Sequence, residues 1–427
     1  MSYKTMTREE LLKLREELAA QYENKKGMGL SLNMARGKPE TSQLDLSIPM
    51  LDEVDENTAF VGEDGMDVRN YGVLSGIREA KQFFADMLDV KEENIVIYGT
   101  ASLTLMFDTI ARAYIKGILG STPWCKLDKI KFLCPVPGYD RHFTICEYFG
   151  IEMINIPMDE NGPDMDLVEK YVSEDPAVKG IWCVPKYSNP SGIVYSDEVV
   201  RRFANLKPAA EDFRIYWDNA YCVHHLYRDD QPEILNIVTE CEKAGRPDMV
   251  YEFCSTSKIT FPGSGVSAMA ASPANIKETV QFMSAQTISH DKVNQLRHVM
   301  FLNSKENLME HMMKHADIMR PKFEKVLEML DNELGDADIA KWTKPLGGYF
   351  ISFDAMDGCA KKIVGMCEAA GVVMTGAGAT YPYGKDPHDS NIRIAPSFPP
   401  MDELIEACEI FIICVKLVSI DKILESK

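Results

Sequence analysis

The sequence holds no run of about 18 apolar residues, the length a helix needs to cross a bilayer, so no membrane partner is expected. Positive charge is scarce: 46 Lys and Arg stand against 65 Asp and Glu, a net charge of −19. Without a basic stripe, nucleic acid is not an expected partner. Any anionic substrate must then meet locally placed arginine or lysine. The 11 cysteines form no CxxC pair and no Cys/His spacing suited to a metal. Their odd number and scatter read as free thiols in a reducing compartment, so we expect a cytoplasmic protein with no metal. No apolar signal segment follows Met1-Ser2-Tyr3-Lys4-Thr5, and there are no repeats or low-complexity tracts.

What the sequence does have is a long, mixed α/β pattern. At 427 residues and 45% hydrophobic it can bury a large core, and it exceeds one small domain. Apolar runs rich in β-formers alternate with helical patterns, which implies a mostly parallel sheet covered on both faces. Functional turns in such sheets lie at the carboxyl ends of the strands.

One stretch stands out. Met249 to Phe253 reads as a buried strand, and Ser255-Thr256-Ser257-Lys258 follows it, then Phe261-Pro262-Gly263-Ser264-Gly265. A lysine at the end of a buried strand loses hydration, which favours its neutral, nucleophilic form. The hydroxyls and loop amides suit a phosphate monoester. Lysine imine plus phosphate is the grip used on pyridoxal 5′-phosphate (PLP). The alternative is an ordinary surface lysine on a turn.

The other strand ends carry chemistry too. Residues 7–24 read as an N-capped helix, and Asn33-Met34-Ala35-Arg36-Gly37-Lys38-Pro39 as a turn with two cations. The strand at Asn94–Tyr98 runs into Gly99-Thr100-Ala101-Ser102 and a helix, a phosphate-cradling arrangement. Tyr139 follows the strand Lys129–Cys134 and either packs or lies flat on a heterocycle. Asn189, in Asn-Pro-Ser-Gly, is either a turn former or an amide donor. Asp218 ends the strand Arg214–Trp217, where burial needs a cationic partner such as a pyridinium nitrogen. Arg393, inside an apolar strand, needs an anion, from a substrate or from a structural ion pair. A helical region spans roughly 274–334, and a smaller α+β unit begins near 321.

These turns, in this order, resemble the fold-type I PLP-dependent aminotransferases of class I. The stretch Ala35-Arg36-Gly37-Lys38-Pro39 with Gln43-Leu44-Asp45-Leu46-Ser47 is similar to a divergent bacterial aspartate aminotransferase subgroup. The resemblance implies a large domain at 51–320 with a mostly parallel seven-stranded sheet between helices. It implies a small α+β domain at 321–427 and an N-terminal segment, 1–50, packing with it. It implies that Lys258 carries the Schiff base and moves the proton, and that Asp218 pairs with the pyridine nitrogen. Asn189 and Tyr221 would hold the phenolic oxygen, and Tyr139 would stack on the ring. Thr100, Ala101, Ser102, Ser255 and Ser257 would hold the phosphate. Tyr71 would reach the phosphate of a neighbouring subunit, hence a homodimer. Arg393, with Gly37 beside it, would clamp the substrate α-carboxylate.

The family pattern has a phosphate-binding arginine at position 266, where this chain has Val266. Main-chain amides and hydroxyls, with Ser264, are expected to serve instead. No arginine matches the one that takes a distal carboxylate; Arg36, Lys38 and Lys292 are the candidates. The expected reaction is ping-pong transamination between L-aspartate and 2-oxoglutarate through pyridoxamine phosphate. The alternatives are a β-lyase or decarboxylase of the same fold, a non-catalytic PLP-sensing regulator, or a PLP-free α/β domain.

Overall fold

The computed structural model describes residues 2–427. Its centre is one sheet whose strands are β1 Ile95–Ile97, β2 Lys131–Val136, β3 Glu152–Asp159, β4 Gly162–Pro163, β5 Val178–Cys183, β6 Arg214–Asp218, β7 Val250–Ser255 and β8 Ser267–Ala271. Their order across the sheet is β1-β8-β7-β6-β5-β2-β3-β4. The run β7-β6-β5-β2-β3 is parallel throughout, while β8 is antiparallel to both its neighbours. β5 and β6 are buried along their whole length, as expected of strands with helices on both faces.

The sheet has eight strands, not the expected seven. The extra one, β4, is a two-residue edge that folds back on β3 through Glu160-Asn161, pairing Asp159 with Gly162. The Asn161 amide donates to the Asp159 carboxylate at 2.7 Å, an aspartate-led turn that ends the long strand.

Among the helices that matter here, α1 Arg8–Gly27 has a capping box between Thr7 and Glu10. Then come α2 Ser102–Lys116, α3 Asp140–Tyr148, α4 Pro273–Gln286, α5 Lys292–Leu302, α6 Lys305–Leu334 and α7 Met401–Ser426. The helical region expected at 274–334 is therefore three helices, and α6 runs unbroken through Pro321. A second sheet orders β9 Ala340–Trp342, β10 Ile351–Ala355 and β11 Asn391–Ile394 antiparallel.

The N-terminal segment lies against this C-terminal part. Leu11, Leu18 and Tyr22 of α1 share a core with Phe411, Val415 and Ile423 of α7. Arg15 pairs with Asp421, and Lys25 with Glu406 and Glu409. Further along, the Met34 carbonyl accepts from the Ala395 amide at 3.1 Å, which brings the Arg36-Gly37 turn beside β11. Among the described residues no helix is long and apolar enough to cross a membrane, and all 11 cysteines are free.

Candidate active site

The carboxyl ends of β2, β5, β6 and β7 converge on one cleft, lined by Ser102, Tyr139, Asn189, Asp218, Tyr221 and Lys258. Lys258 arrives there because its loop is pinned at both ends. The Thr256 amide donates to the Val266 carbonyl at 2.8 Å, and the Val266 amide donates to the Thr256 hydroxyl at 2.9 Å. Beneath, the Thr260 hydroxyl meets His298 Nε2 at 2.9 Å, and His298 Nδ1 lies 2.7 Å from the Asn294 carbonyl. Burial lowers the His298 pKa to about 4, so the imidazole is neutral and can accept from Thr260. The Lys258 side chain is half-buried, its Nζ 4.7 Å from the centre of the Tyr221 ring.

Asp218 is almost wholly buried. Its Oδ2 accepts from His142 Nε2 at 2.9 Å, and its Oδ1 has no hydrogen-bond partner among the described residues. A buried carboxylate oxygen left unpaired in a cleft is costly unless a ligand supplies a donor or a cation there. His142 itself stacks on Trp182, with centroids 4.4 Å apart and planes at 8°, and the Tyr139 ring meets its edge. Two ring contacts thus hold the imidazole that fixes the carboxylate. Burial raises the Tyr139 hydroxyl to about 12 and pushes Tyr221 higher still, so both are neutral donors near neutral pH.

An anion cradle lies beside the lysine. Helix α2 starts at Ala101 with no side-chain cap, leaving its first amides free. The Ser257 hydroxyl donates to the Thr100 carbonyl at 2.9 Å, and Ser255 donates to Ser257 at 3.2 Å. A Cβ on Gly265 would lie 2.9 Å from the Thr100 carbonyl and 3.1 Å from the Ser257 hydroxyl, so only glycine lets this loop close. Ser264 Oγ accepts from Arg297 Nη2 at 2.8 Å, and Asn294 Nδ2 donates to the Ser264 and Gly265 carbonyls at 3.0 Å each. Helix α5 therefore brings a guanidinium to the loop that Val266 cannot serve.

Arg393 projects from β11 over the Phe350 ring. Its Nη1 donates to Asp140 and Asn189 at 3.2 Å each, its Nη2 to Thr375 at 3.3 Å, and its buried Nε is unpartnered. So Arg393 has a protein ion pair and still keeps a free donor. Gly37 is fixed by the same ring: a Cβ there would stand 2.2 Å from Phe350.

Not every expected residue reaches the cleft. Tyr71 is 74% exposed. Lys292 is buried, and its amine donates to the Asn70 carbonyl at 2.7 Å. Lys38 lies over the Phe398 ring, whereas Arg36 is exposed on the turn next to Gly37, whose Phe350 neighbour also lies under Arg393. Sequence reading missed His142, Arg297 and the Asp140 partner of Arg393. His142 had a signal: it lies three residues after Tyr139 at the start of a helix, on the same face. Arg297 had none, because α5 meets the loop only in the fold.

Directly behind Asp218, Asn219 Nδ2 donates to Glu252 Oε1 at 2.8 Å. Burial raises the Glu252 pKa to about 7. The folded state then binds this proton more tightly than the unfolded chain. The resulting loss of stability begins as pH rises through the ordinary value of about 4.3 and is complete above about 7. Glu252→Gln should therefore unfold later in denaturant than the parent at about pH 8, by up to about 3 kcal/mol, with the gap closing at about pH 4.

A sheet of this order, with a lysine beyond one strand, an unpaired carboxylate facing it and an anion cradle alongside, defines a PLP-dependent aminotransferase fold. The aspartate amino-transferase family model matches residues 6–427. An aspartate aminotransferase of Corynebacterium glutamicum is 44% identical over 403 residues, 94% of this chain and 93% of that one. The crystal structure of an aspartate transaminase from the same organism superposes with a TM-score of 0.96 at 43% identity, covering 99% of each chain. An aspartate aminotransferase of Thermus thermophilus solved with maleate shares the fold, with a TM-score of 0.66 at 18% identity, covering 93% of this chain and 95% of that one. This chain belongs to the aspartate aminotransferase family and is an aminotransferase, acting on amino and oxo acids.

Proposed function

We propose that this aminotransferase moves the amino group of L-aspartate to 2-oxoglutarate on PLP, with Lys258 as its covalent anchor. The observation that carries the reading is the unpaired Asp218 Oδ1, facing the same cleft as the Lys258 amine. The preference for aspartate rests on the 44% identical Corynebacterium relative.

When bound, PLP supplies the electron sink that lets a Cα–H bond ionise. The residues do the rest. Asp218 Oδ1 holds a proton on the ring nitrogen, and His142 keeps that carboxylate in place. Asn189 and Tyr221 donate to the phenolic oxygen, and the Tyr139 ring covers one face. Ser255, Ser257, Thr100, Ala101, Ser102 and Ser264 surround the phosphate, with Arg297 behind Ser264 as its cation. Lys258 Nζ would be the base that takes the substrate's α-proton and returns it. Arg393 would hold the α-carboxylate and so fix the substrate's orientation for proton transfer. Arg36, exposed beside Gly37, takes the distal carboxylate.

The division of labour follows the chain. Residues 51–320 hold the cofactor, while 321–427 with the 1–50 segment supply Arg393, Gly37 and Arg36. The exposed Tyr71 fits a homodimer in which it reaches the partner's phosphate. The free cysteines accord with a cytoplasmic location.

The test is product analysis: aspartate and 2-oxoglutarate should give oxaloacetate and glutamate with ping-pong kinetics. Release of carbon dioxide, or loss of a β-substituent, would point to another PLP reaction. Arg393→Lys should raise KM for both substrates about 100-fold, because an ammonium cannot make the two-pronged contact, while cofactor absorbance stays unchanged. Arg297→Met should weaken PLP binding to the apo-protein at least about tenfold, read by fluorescence titration.

A further inference from the structure

Behind the cleft, on the opposite side of Asp218, the structure holds a second cavity of about 340 Å³. Successive strand residues face opposite sides of a sheet. So while Asp218 serves the first cleft, Trp217 and Asn219 line the second, with Glu252 from the adjacent strand.

The cavity is lined by groups of both charges. The single hydrogen bond from Asn219 Nδ2 to Glu252 Oε1 leaves Asn219 Oδ1 and Glu252 Oε2 as buried acceptors without donors among the described residues. Both residues are more than nine-tenths buried. An ammonium group, with three N–H donors and a positive charge, satisfies both acceptors at once. Lys186 lines the same cavity, 8% exposed and, among the described residues, in no ion pair. Lys305, which opens helix α6, and Glu233 and Asp89 border the cavity from exposed positions, where water screens all three. Cys222 is within electrostatic reach of both Lys186 and Glu252.

A simple anion would meet Glu252, and a simple cation would leave Lys186 uncompensated. A molecule carrying both an ammonium and a carboxylate answers both groups. We propose that this cavity is a second site for a free α-amino acid. Its ammonium sits on Glu252 and Asn219, and its carboxylate faces Lys186 and Lys305. Such a ligand acts on the catalytic turn through the backbone: Asn219 follows Asp218, Cys222 follows Tyr221, and the Asn219 amide is held by the Phe253 carbonyl at 2.8 Å.

The experiment must separate this site from the catalytic one. Holoenzyme is first reduced with borohydride, so that Lys258 can no longer exchange with an amino acid. The common L-amino acids are then titrated singly by calorimetry. At least one should bind saturably at one per chain, and Lys186→Met and Glu252→Gln should each weaken it at least about tenfold, whereas Arg393→Lys leaves it unchanged. Lys186→Met and Glu252→Gln test the two groups independently. No saturable binding by any amino acid would overturn the proposal, with water then filling the acceptors. Binding that survives Lys186→Met, or that disappears in Arg393→Lys, would overturn it equally.

Discussion

Lys258→Ala is expected to abolish transamination, with a fall in kcat of roughly 10⁵-fold or more, because one side chain is both the covalent anchor and the base. The protein should lose the visible absorbance of the anchored cofactor. It should not lose its fold. The loop is pinned by Thr256, Val266 and Thr260, and among the described residues the Lys258 amine makes no hydrogen bond that alanine would break. Circular dichroism and thermal unfolding should therefore match the parent. Retained turnover in this variant would remove Lys258 from the centre of the site.

Asp218→Asn should lower kcat/KM about 10³-fold while the cofactor still binds. The amide oxygen can take over the contact from His142, since that imidazole nitrogen lies 2.9 Å away and Trp182 holds the ring. The nitrogen of the amide then points where the unpaired Oδ1 stood. It presents a donor to a ring nitrogen that must stay protonated, and the stabilising charge is gone. Aspartate and asparagine have nearly the same volume, so packing is not the cause. Steady-state kinetics on reconstituted variants would read the loss. Unchanged kcat/KM would contradict the role given to Asp218.

Much of this site was legible in the sequence because its residues follow strand ends. Lys258, Asp218, Asn189 and Tyr139 each come within a few residues of an apolar run, and the parallel sheet then brings those ends together. Gly37 was legible as a turn residue, and as a neighbour of Arg393 only through the resemblance; the Phe350 ring that fixes it comes just before β10, far along the chain. Arg393 announced itself as a charge inside an apolar strand, but not its contact with Asp140. Arg297 left no local trace, since the chain passes through β8 and α4 before α5 returns to the loop. Lys292 looked like a free cation, and the fold gives its amine to the Asn70 carbonyl. Local chemistry is written in local sequence, whereas contacts between separate elements depend on packing that spacing does not encode. The eighth strand shows the same limit on a smaller scale, as an edge too short for any periodicity.

The central claim is a covalent bond between the Lys258 amine and the aldehyde of PLP. Borohydride reduction of the purified holoenzyme, followed by digestion and peptide mass spectrometry, tests it most directly. The account predicts a phosphopyridoxyl group on the peptide carrying Ser255-Thr256-Ser257-Lys258, and on Lys258 itself. An unmodified Lys258, or the adduct on another lysine such as Lys186 or Lys292, would contradict it.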